Sequence, residues 1–568
     1  EFTHNELSSV EATASSIFVE KAELKHFLQS LMASFQNKSE LFLINQPKAV
    51  NVLLKMLNGD KTLLQYCTDL CNYSPINSVQ FHHAGLDSLL VDFLLQLKIK
   101  NDTEDQTETE KLKSLEEFKN AFNLFLSIAK FASSVSIINR YMSLLCNNPE
   151  NNRVSDFHSI LVNGLIYLSE ESNKIPMTAI TDVNLTYDSV EVDSAGFTVC
   201  VWIFVPVLFD SSRDESLITI TEHSTKFDIH ICNTGFNVYI NSELVGKTIQ
   251  SPIELSRWIC VTFRIQSSKT FVFINNEEKG QVSYPAFSIR NLEITFKASN
   301  RFFLGGMTVY KKVITTNLFE KGARKIWEDP KHKAALAIRP LWHSNILILQ
   351  TKFHNEITYK ITGKRSFSIL NFIDILCSRC GVTLILPLLA QINMENAHPK
   401  LLQSILTLVR NLLLERAISQ RKFSEMKGAQ ILAYLLAVSN TAHIDKNKAS
   451  KSIQNNNAYL TCDIYKQLLD IFHIITSQKL KKTFCKYIIM NFSLWIRGMP
   501  EEVVKIFDLI AQLDNHAIWK LLNITFAAAV ASIRIFFSHS HIPNINHFNG
   551  SDEQYSHIRK SILIACRN

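Results

Sequence analysis

Cys377 and Cys380 have two residues between them, the spacing at which two thiolates share a metal ion or exchange with a disulfide. Zinc needs four ligands, and no second Cys or His pair lies nearby in the sequence. A thioredoxin-type pair occupies a strand-to-helix turn, whereas these two end the apolar run SFSILNFIDILCSRCG. Both are expected to be structural. His539, His541 and His547 share the polar segment HSHIPNINHFNG, and His82–His83 open a helix. Imidazoles ligate metals, but a loop rich in His, Asn and Ser is ordinarily a solvated surface.

Asp210, Asp214 and Glu215 fall in one loop, LFDSSRDES, the kind of oxygen cluster that binds calcium in lectins. No second acidic loop stands out. Trp202 and Trp258 lie within expected strands and read as core rather than as a sugar platform. There is no phosphate-binding Gly loop, no Gly-x-Ser-x-Gly elbow, no His-Glu-x-x-His and no paired-carboxylate motif. The expectation is a protein that is not an enzyme and has no cofactor or resident metal.

What remains is cationic. KLKKTFCK supplies Lys479, Lys481, Lys482 and Lys486 with Phe484 among them. Lys321, Arg324, Lys325, Lys331 and Lys333 surround Trp327. Such patches fit anionic lipid headgroups, at about 1 kcal/mol per well-placed cation, and also RNA or an acidic protein segment. A solvated face that keeps an apolar protein soluble accounts for them more readily, since lysine-rich helix faces are common. Net charge over the 568 residues is +7, but it is divided. Residues 1–320 carry 27 basic and 36 acidic side chains, a net of −9, and residues 321–568 carry 32 and 16, a net of +16. Any anionic partner is therefore expected at the C-terminal part.

The elements that must position these groups are legible in the hydrophobic period. Gly 15 and Pro 13 make about 5% of the chain, against a usual combined share of about 12%, which favours long helices. From about Ala14 to Ile175 apolar residues recur at helical spacing, as in Leu24, Phe27, Leu28, Leu31 and Phe35. KNDTEDQTETEK (Lys100–Lys111) has no apolar residue and reads as a loop. Around Asp182 the period drops to two. In GFTVCVWIFV, Phe197, Val199, Val201, Ile203 and Val205 share a face, yet Cys200, Trp202 and Phe204 opposite are apolar too. KFDIHIC, GFNVYI and WICVTFRI alternate in the same way, and Asn275–Asn276 predicts a hairpin. Short strands at this spacing predict an antiparallel sandwich whose first strand is covered on both sides, most simply by the flanking helices. After Thr315 helical patterns resume, among them HKAALAIRPLWHS and YKQLLDIFHIITS. The expected fold class is multidomain α and β: armadillo- or HEAT-like α-solenoid regions over 1–178 and 317–568, flanking a sandwich over 179–316. No strict repeat period emerges.

The eleven cysteines are odd in number, scattered and mostly within apolar runs, which fits a reducing compartment. The polar N-terminus EFTHNELSSV has no initiator Met or signal-peptide pattern and reads as the start of an excised fragment. The most membrane-like stretch, Ile518–Phe537, is interrupted by Lys520 and Arg534 and is too short between them to span a bilayer, so no transmembrane segment is expected.

The order helices, sandwich, helices is uncommon. The sandwich resembles a concanavalin-A-like or laminin-G-like jelly roll in GFTVCVWIFV, RWICVTFRI (Arg257–Ile265), FVFINNEEKG (Phe271–Gly280) and FFLGGMTVYKKVIT (Phe302–Thr315). Followed by CGVTLILPLLAQI (Cys380–Ile392), the layout resembles the N-terminal half of BEACH-domain proteins, the beige/neurobeachin family. That family commonly shows a Gly-Gly stretch leading to Leu/Phe-Pro-Leu-Leu after the sandwich. Here Cys380 replaces the first Gly, while Gly381, Leu386, Pro387, Leu388 and Leu389 fit. The resemblance runs from about Asn45 to Ser439, and abundant Asn and Lys with little Gly suit a fungal member. It implies a scaffold in membrane trafficking and lysosomal or vacuolar sorting, cytoplasmic and peripherally membrane-associated. The pleckstrin-like, BEACH and WD40 modules of the family would lie outside this portion. Implied partners are trafficking proteins and anionic phospholipid surfaces, with no nucleic acid. A glycan-binding lectin module and an RNA-binding helical-repeat protein stand as alternatives.

Overall fold

A computed structural model of the chain describes residues 61–101, 107–145, 156–172, 178–205, 214–222, 225–255, 257–286, 291–299, 302–314, 334–343, 346–353, 359–368, 371–391, 399–414, 416–438, 460–513, 515–522 and 551–567. The chain forms two compact units, residues 1–137 with 170–372, and residues 138–169 with 373–568.

In the first unit, helices α1 (Lys61–Tyr73), α2 (Pro75–Ala84), α3 (Leu86–Asn101) and α4 (Glu108–Ala129) follow in sequence. Their ends have local causes. Ser74 caps α2, its side chain accepting from the Ile76 N–H at 3.3 Å, with Pro75 in the first turn. Gly85, at φ 84°, closes α2 by donating to His82 O at 2.9 Å. Thr107 and Glu110 form a reciprocal capping box at the start of α4. That box starts the helix inside the segment expected to be a loop, because it satisfies backbone donors without needing apolar residues. Leu63, Leu64, Phe81, Leu90, Phe118 and Phe125 fill the space between the helices.

The sheet comprises β1 (Thr178–Glu191), β2 (Phe197–Phe204), β3 (Glu215–Glu222), β4 (Thr225–Cys232), β5 (Gly235–Ile240), β6 (Glu243–Leu244), β7 (Ile249–Gln250), β8 (Trp258–Ile265), β9 (Lys269–Ile274), β10 (Glu277–Ser283), β11 (Asn291–Ala298), β12 (Phe303–Tyr310), β13 (Ala334–His343), β14 (Ile346–Phe353) and β15 (Tyr359–Ser368). All pairings are antiparallel. One layer runs β10-β9-β8-β2-β12-β13-β14 and the other β15-β1-β11-β3-β4-β5. The two are joined where Ile180 of β1 meets Leu304 of β12. Their inner faces bury one core, including Val199, Val201, Ile203, Val261 and Phe263 from the first layer and Leu185, Ile218, Ile229, Ile294 and Phe296 from the second. This is the expected antiparallel sandwich. Asn275 and Asn276 both take positive φ, 50° and 74°, at the predicted hairpin, and Asn241 and Ser242 do the same between β5 and β6.

The outer side of β2 is covered as its composition requires. Cys200, Trp202 and Phe204 are all buried. Phe131, just beyond α4, meets the Phe204 ring edge-on at 6.5 Å and 88°, and Phe303 and Trp258 flank Phe204 at 5.9 and 5.5 Å. Phe131, from the turn that follows α4, thus covers Phe204 on the outer face.

One expected helix is a strand. HKAALAIRPLWHS contributes β13, which pairs with β12 (Met307↔Ile338) and with β14 from Leu336 to His343. A short apolar run has no intrinsic preference strong enough to choose, and the second edge of β12 offers it a ladder. With β14 and β15, the sheet continues to Ser368.

The second unit holds most of α5 (Val135–Leu145), of α6 (Asp156–Ser172) and of α7 (Phe372–Ile375), then a π turn (Leu376–Cys380) and a 3-10 turn (Val382–Ile385), α8 (Pro387–Gln391), α9 (Pro399–Leu413), α10 (Ala417–Glu425), α11 (Gly428–Val438), α12 (Cys462–Ile474), α13 (Gln478–Phe484) with a π turn (Cys485–Ile489), α14 (Phe492–Trp495), α15 (Pro500–Gln512), α16 (Asn515–Leu522) and α17 (Asp552–Arg567). α9 packs on α12, α10 on α13 and α12 on α15. Each partner lies three helices along, the stacking of a three-helix repeat, although no sequence period announces it. Trp495 is fully buried at the centre, its Nε1–H donating to Ile488 O at 2.7 Å and its ring meeting Tyr465 edge-on at 4.9 Å. Among the described residues no single helix is long and apolar enough to cross a membrane. Most of Ile518–Phe537 lies outside them.

Candidate anionic-partner face

The lysine helix α13 is fixed by the turn before it. Ser477 caps its start, accepting from the Leu480 N–H at 3.5 Å. Gln420, buried on α10, holds that turn: its Oε1 accepts from the Thr476 N–H and hydroxyl, both at 3.0 Å, and from the Ser477 N–H at 3.1 Å. Its Nε2 donates to Leu413 O at 3.0 Å and Ile474 O at 3.4 Å. Leu480 and Phe484, four residues apart, anchor the inner side of α13. Beyond them the Met490 N–H reaches Cys485 O at 2.8 Å, and the wider turn keeps Cys485, Ile488 and Ile489 buried.

With that side inward, Lys479, Lys482 and Lys486 recur at spacings of three and four and are exposed. Lys481 is different. It is half-buried, its Nζ 5.0 Å from the centroid of the Phe472 ring. Lys486 Nζ lies 5.3 Å from the Tyr487 ring. Among the described residues none of the four has a carboxylate within ion-pair range. Three unneutralised ammonium groups on one face form a surface for phosphate or carboxylate oxygens, and Lys481 contributes mainly to packing. Lys321, Arg324, Lys325, Lys331 and Lys333 lie outside the described residues.

The other sequence candidates separate. Cys377 is buried, with Arg416 Nη1 3.5 Å from its sulfur and 3.6 Å from Asp374. The Cys380 side chain, Asp210 and the three histidines of HSHIPNINHFNG lie outside the described residues. His82 pairs with buried Asp87 at 2.6 Å, across the turn between α2 and α3. No group of three or more His, Cys, Asp or Glu that could hold a metal occurs among the described residues. Trp202 and Trp258 are buried and offer no platform.

One constellation was missed in the sequence. Asp214 accepts from Tyr239 Oη at 2.6 Å and Asn237 Nδ2 at 3.1 Å, and lies 3.3 Å from His230 Nδ1. Burial would raise the Asp214 carboxyl, but the hydrogen bonds from Tyr239, Asn237 and His230 outweigh it and hold it below the usual carboxylate range. The same hydrogen bond pushes the Tyr239 phenol up to about 12. The alternation in KFDIHIC and GFNVYI already placed His230 and Tyr239 outward. Only the β4–β5 register, His230↔Asn237, brings them together. The carboxylate is engaged by its own neighbours.

The fold and the lysine face together define a class: a multidomain α and β protein in which a stacked helical solenoid accompanies an antiparallel sandwich. Residues 353–520 match the model of the Neurobeachin/BDCP, DUF4704 alpha solenoid region. A putative neurobeachin homolog of Caenorhabditis briggsae is 27% identical over 136 residues, covering 23% of this chain and 5% of the relative, so the match spans a small part of that protein's length. Both findings support a protein of the neurobeachin, or BEACH, kind. Among solved structures, the SAP-like pentraxin of Limulus polyphemus is 12% identical, covering 33% of this chain and 95% of its own, at a TM-score of 0.22. Domain 4 of the arabinanase AbnA of Geobacillus stearothermophilus, in complex with arabinotriose, is 16% identical, covering 22% and 66%, at 0.19. Likenesses at such scores carry no functional weight.

Proposed function

We propose that this chain is a non-catalytic scaffold region of a BEACH-type protein that acts in membrane trafficking and lysosomal or vacuolar sorting, from the cytoplasm and in peripheral association with membranes. The observation that carries the reading is the match of residues 353–520 to the neurobeachin solenoid region. Its working parts follow the division 1–178, 179–316 and 317–568, with the strands up to Ser368 added to the sandwich. Solenoid and sandwich surfaces bind proteins of the trafficking machinery. Lys479, Lys482 and Lys486 meet anionic phospholipid headgroups, at about 1 kcal/mol per cation near the surface. The segregation of charge supports this orientation, since the residues before 321 carry a net −9 and would be repelled.

Flotation with phosphatidylserine vesicles tests the lipid contact, and proximity labelling in cells tests the trafficking role. Recovery with vesicles at low salt, lost when the three lysines become glutamate, is expected. Equal flotation of that variant removes the face from the proposal, and labelling without any membrane-trafficking protein removes the role.

A further inference from the structure

Cys200 on β2 and Cys260 on β8 stand 60 positions apart in the chain, yet their sulfur atoms lie 3.3 Å from each other. The register explains the meeting. Cys200 is opposite Thr262 and Cys260 is opposite Trp202, so the two cysteines are diagonal neighbours on one face of the paired strands. That face is the outer one, since the alternate residues Val199, Val201, Ile259 and Val261 fill the core of the sandwich. Both cysteines are 1% exposed and both are free thiols. The hydrogen bond to Cys200, and then burial, raises the Cys260 thiol.

A single buried cysteine is inert packing. Two in contact are different, because each sulfur is the nearest nucleophile to whatever forms on the other. The remaining distance to a disulfide, from 3.3 Å to about 2.05 Å, is closed by turning the two side chains. Diagonal residues have Cα atoms about 7–8 Å apart, just beyond the usual span of a disulfide, so the bond forms with β2 and β8 drawn together and yields readily to a reductant. A bond of that kind is reversible rather than architectural. Burial sets the pace. Oxidant and reductant reach the sulfurs only when the outer face opens, and along β2 that face continues through Trp202 to Phe204, which Phe131 covers.

We propose that Cys200 and Cys260 form a redox-sensitive clasp between β2 and β8, thiols in the resting protein and a disulfide under hydrogen peroxide. One thiolate attacks the peroxide: an S–O bond forms, the O–O bond breaks, and the hydroxide that leaves takes up the thiol's proton to become water. The second thiol attacks that sulfur: an S–S bond forms, the S–O bond breaks, and the sulfenic oxygen leaves with the second proton as water. In all, two thiols lose two electrons and one hydrogen peroxide becomes two waters. The clasp closes the loop of 60 positions between the cysteines, so the oxidised sandwich resists unfolding more than the reduced one. It does not depend on what the lysine face binds.

The test exposes the full chain, reduced beforehand, to hydrogen peroxide in native buffer and separately in urea, then blocks the remaining thiols with iodoacetamide under denaturing conditions. Mass spectrometry of the digest should find the Cys200 and Cys260 peptides joined, and lighter by two hydrogens, in the native sample. They should separate again when dithiothreitol is added to the folded protein. The oxidised protein should show a higher urea midpoint than the reduced one. Cys200→Ala and Cys260→Ala should each abolish the joined species and the rise in midpoint. If a variant fails to fold, the linkage and its reversal in the wild type decide alone. Joined peptides in the urea sample only would mean that the folded strands do not form the bond, and the inference falls. It falls as well if the native sample holds unreacted thiols, separate sulfinic acids, or a bond that dithiothreitol leaves intact in the folded protein.

Discussion

The Ser477 N–H donates to Gln420 Oε1 at 3.1 Å, so a buried amide on α10 fixes the first residue of the lysine-bearing turn 57 positions later in the chain. The direction in which Lys479, Lys482 and Lys486 face is thereby set from the core and not by the lysines themselves. Gln420→Ala leaves the Thr476 and Ser477 donors and the Leu413 and Ile474 acceptors short of a partner. It should cost about 2–3 kcal/mol of stability, read as a lower urea midpoint with unchanged slope.

The four lysines are not equivalent. Lys479, Lys482 and Lys486 changed together to Glu should lower vesicle affinity roughly a hundredfold at about 0.1 M salt, from about 1 kcal/mol per cation. Lys481→Glu alone should have a small effect on flotation, because its ammonium leans on Phe472. An equal loss from Lys481→Glu would show that the exposed face has been misassigned.

Phe131 and Phe204 are both buried and meet edge to face, joining a helical segment to the outer side of the sandwich. Either Phe→Ala change should destabilise by about 3–5 kcal/mol, and the double-mutant cycle should return a coupling of about 0.5–1.5 kcal/mol. A coupling near zero would mean that the outer face of β2 is covered by something else.

Glu502 accepts the Cys462 N–H at 2.7 Å and pairs with Lys505 at 2.6 Å. The backbone bond to Cys462, then Lys505, holds its carboxyl below the usual carboxylate range. A depressed folded value contributes stability that is fully present above the unfolded value, near 4.5, and is lost as pH falls through the folded one. Glu502→Gln should therefore flatten the fall in stability below about pH 4.5, measured by urea unfolding across pH. An unchanged slope would assign the acid sensitivity to other carboxylates.

Burial pushes the Cys71 and Cys485 thiols up to about 12 and holds the Cys67 thiol well above its ordinary range. Iodoacetamide at about pH 8 should leave all three unmodified in the native protein and label them in denaturant, read by mass spectrometry. Rapid native labelling of any of them would show local opening of its helix.

Much of this was legible beforehand, for reasons that can be traced to particular residues. Phe197, Val199, Val201 and Ile203 alternate because a strand sends successive side chains to opposite faces, and that period survives in any tertiary setting. The apolarity of Cys200, Trp202 and Phe204 on the other face told that something must cover it. It could not name Phe131, which lies 73 positions from Phe204. The segment Ala334–His343 was misread because a short apolar run suits helix and strand alike, and the free edge of β12 made the choice. The Asp214, His230 and Tyr239 network escaped notice because its members meet only through the register of two hairpins.

The sequence by itself determined the two periods, the position of the sandwich between helices, the basic excess after residue 320 and the identity of the four lysines. These are properties of neighbouring residues, and hydrophobic period and charge are written locally. The tertiary structure decided which lysines meet water and which helices stack three places apart. Those outcomes depend on partners distant in the chain. Burial is a contest for surface that only packing resolves.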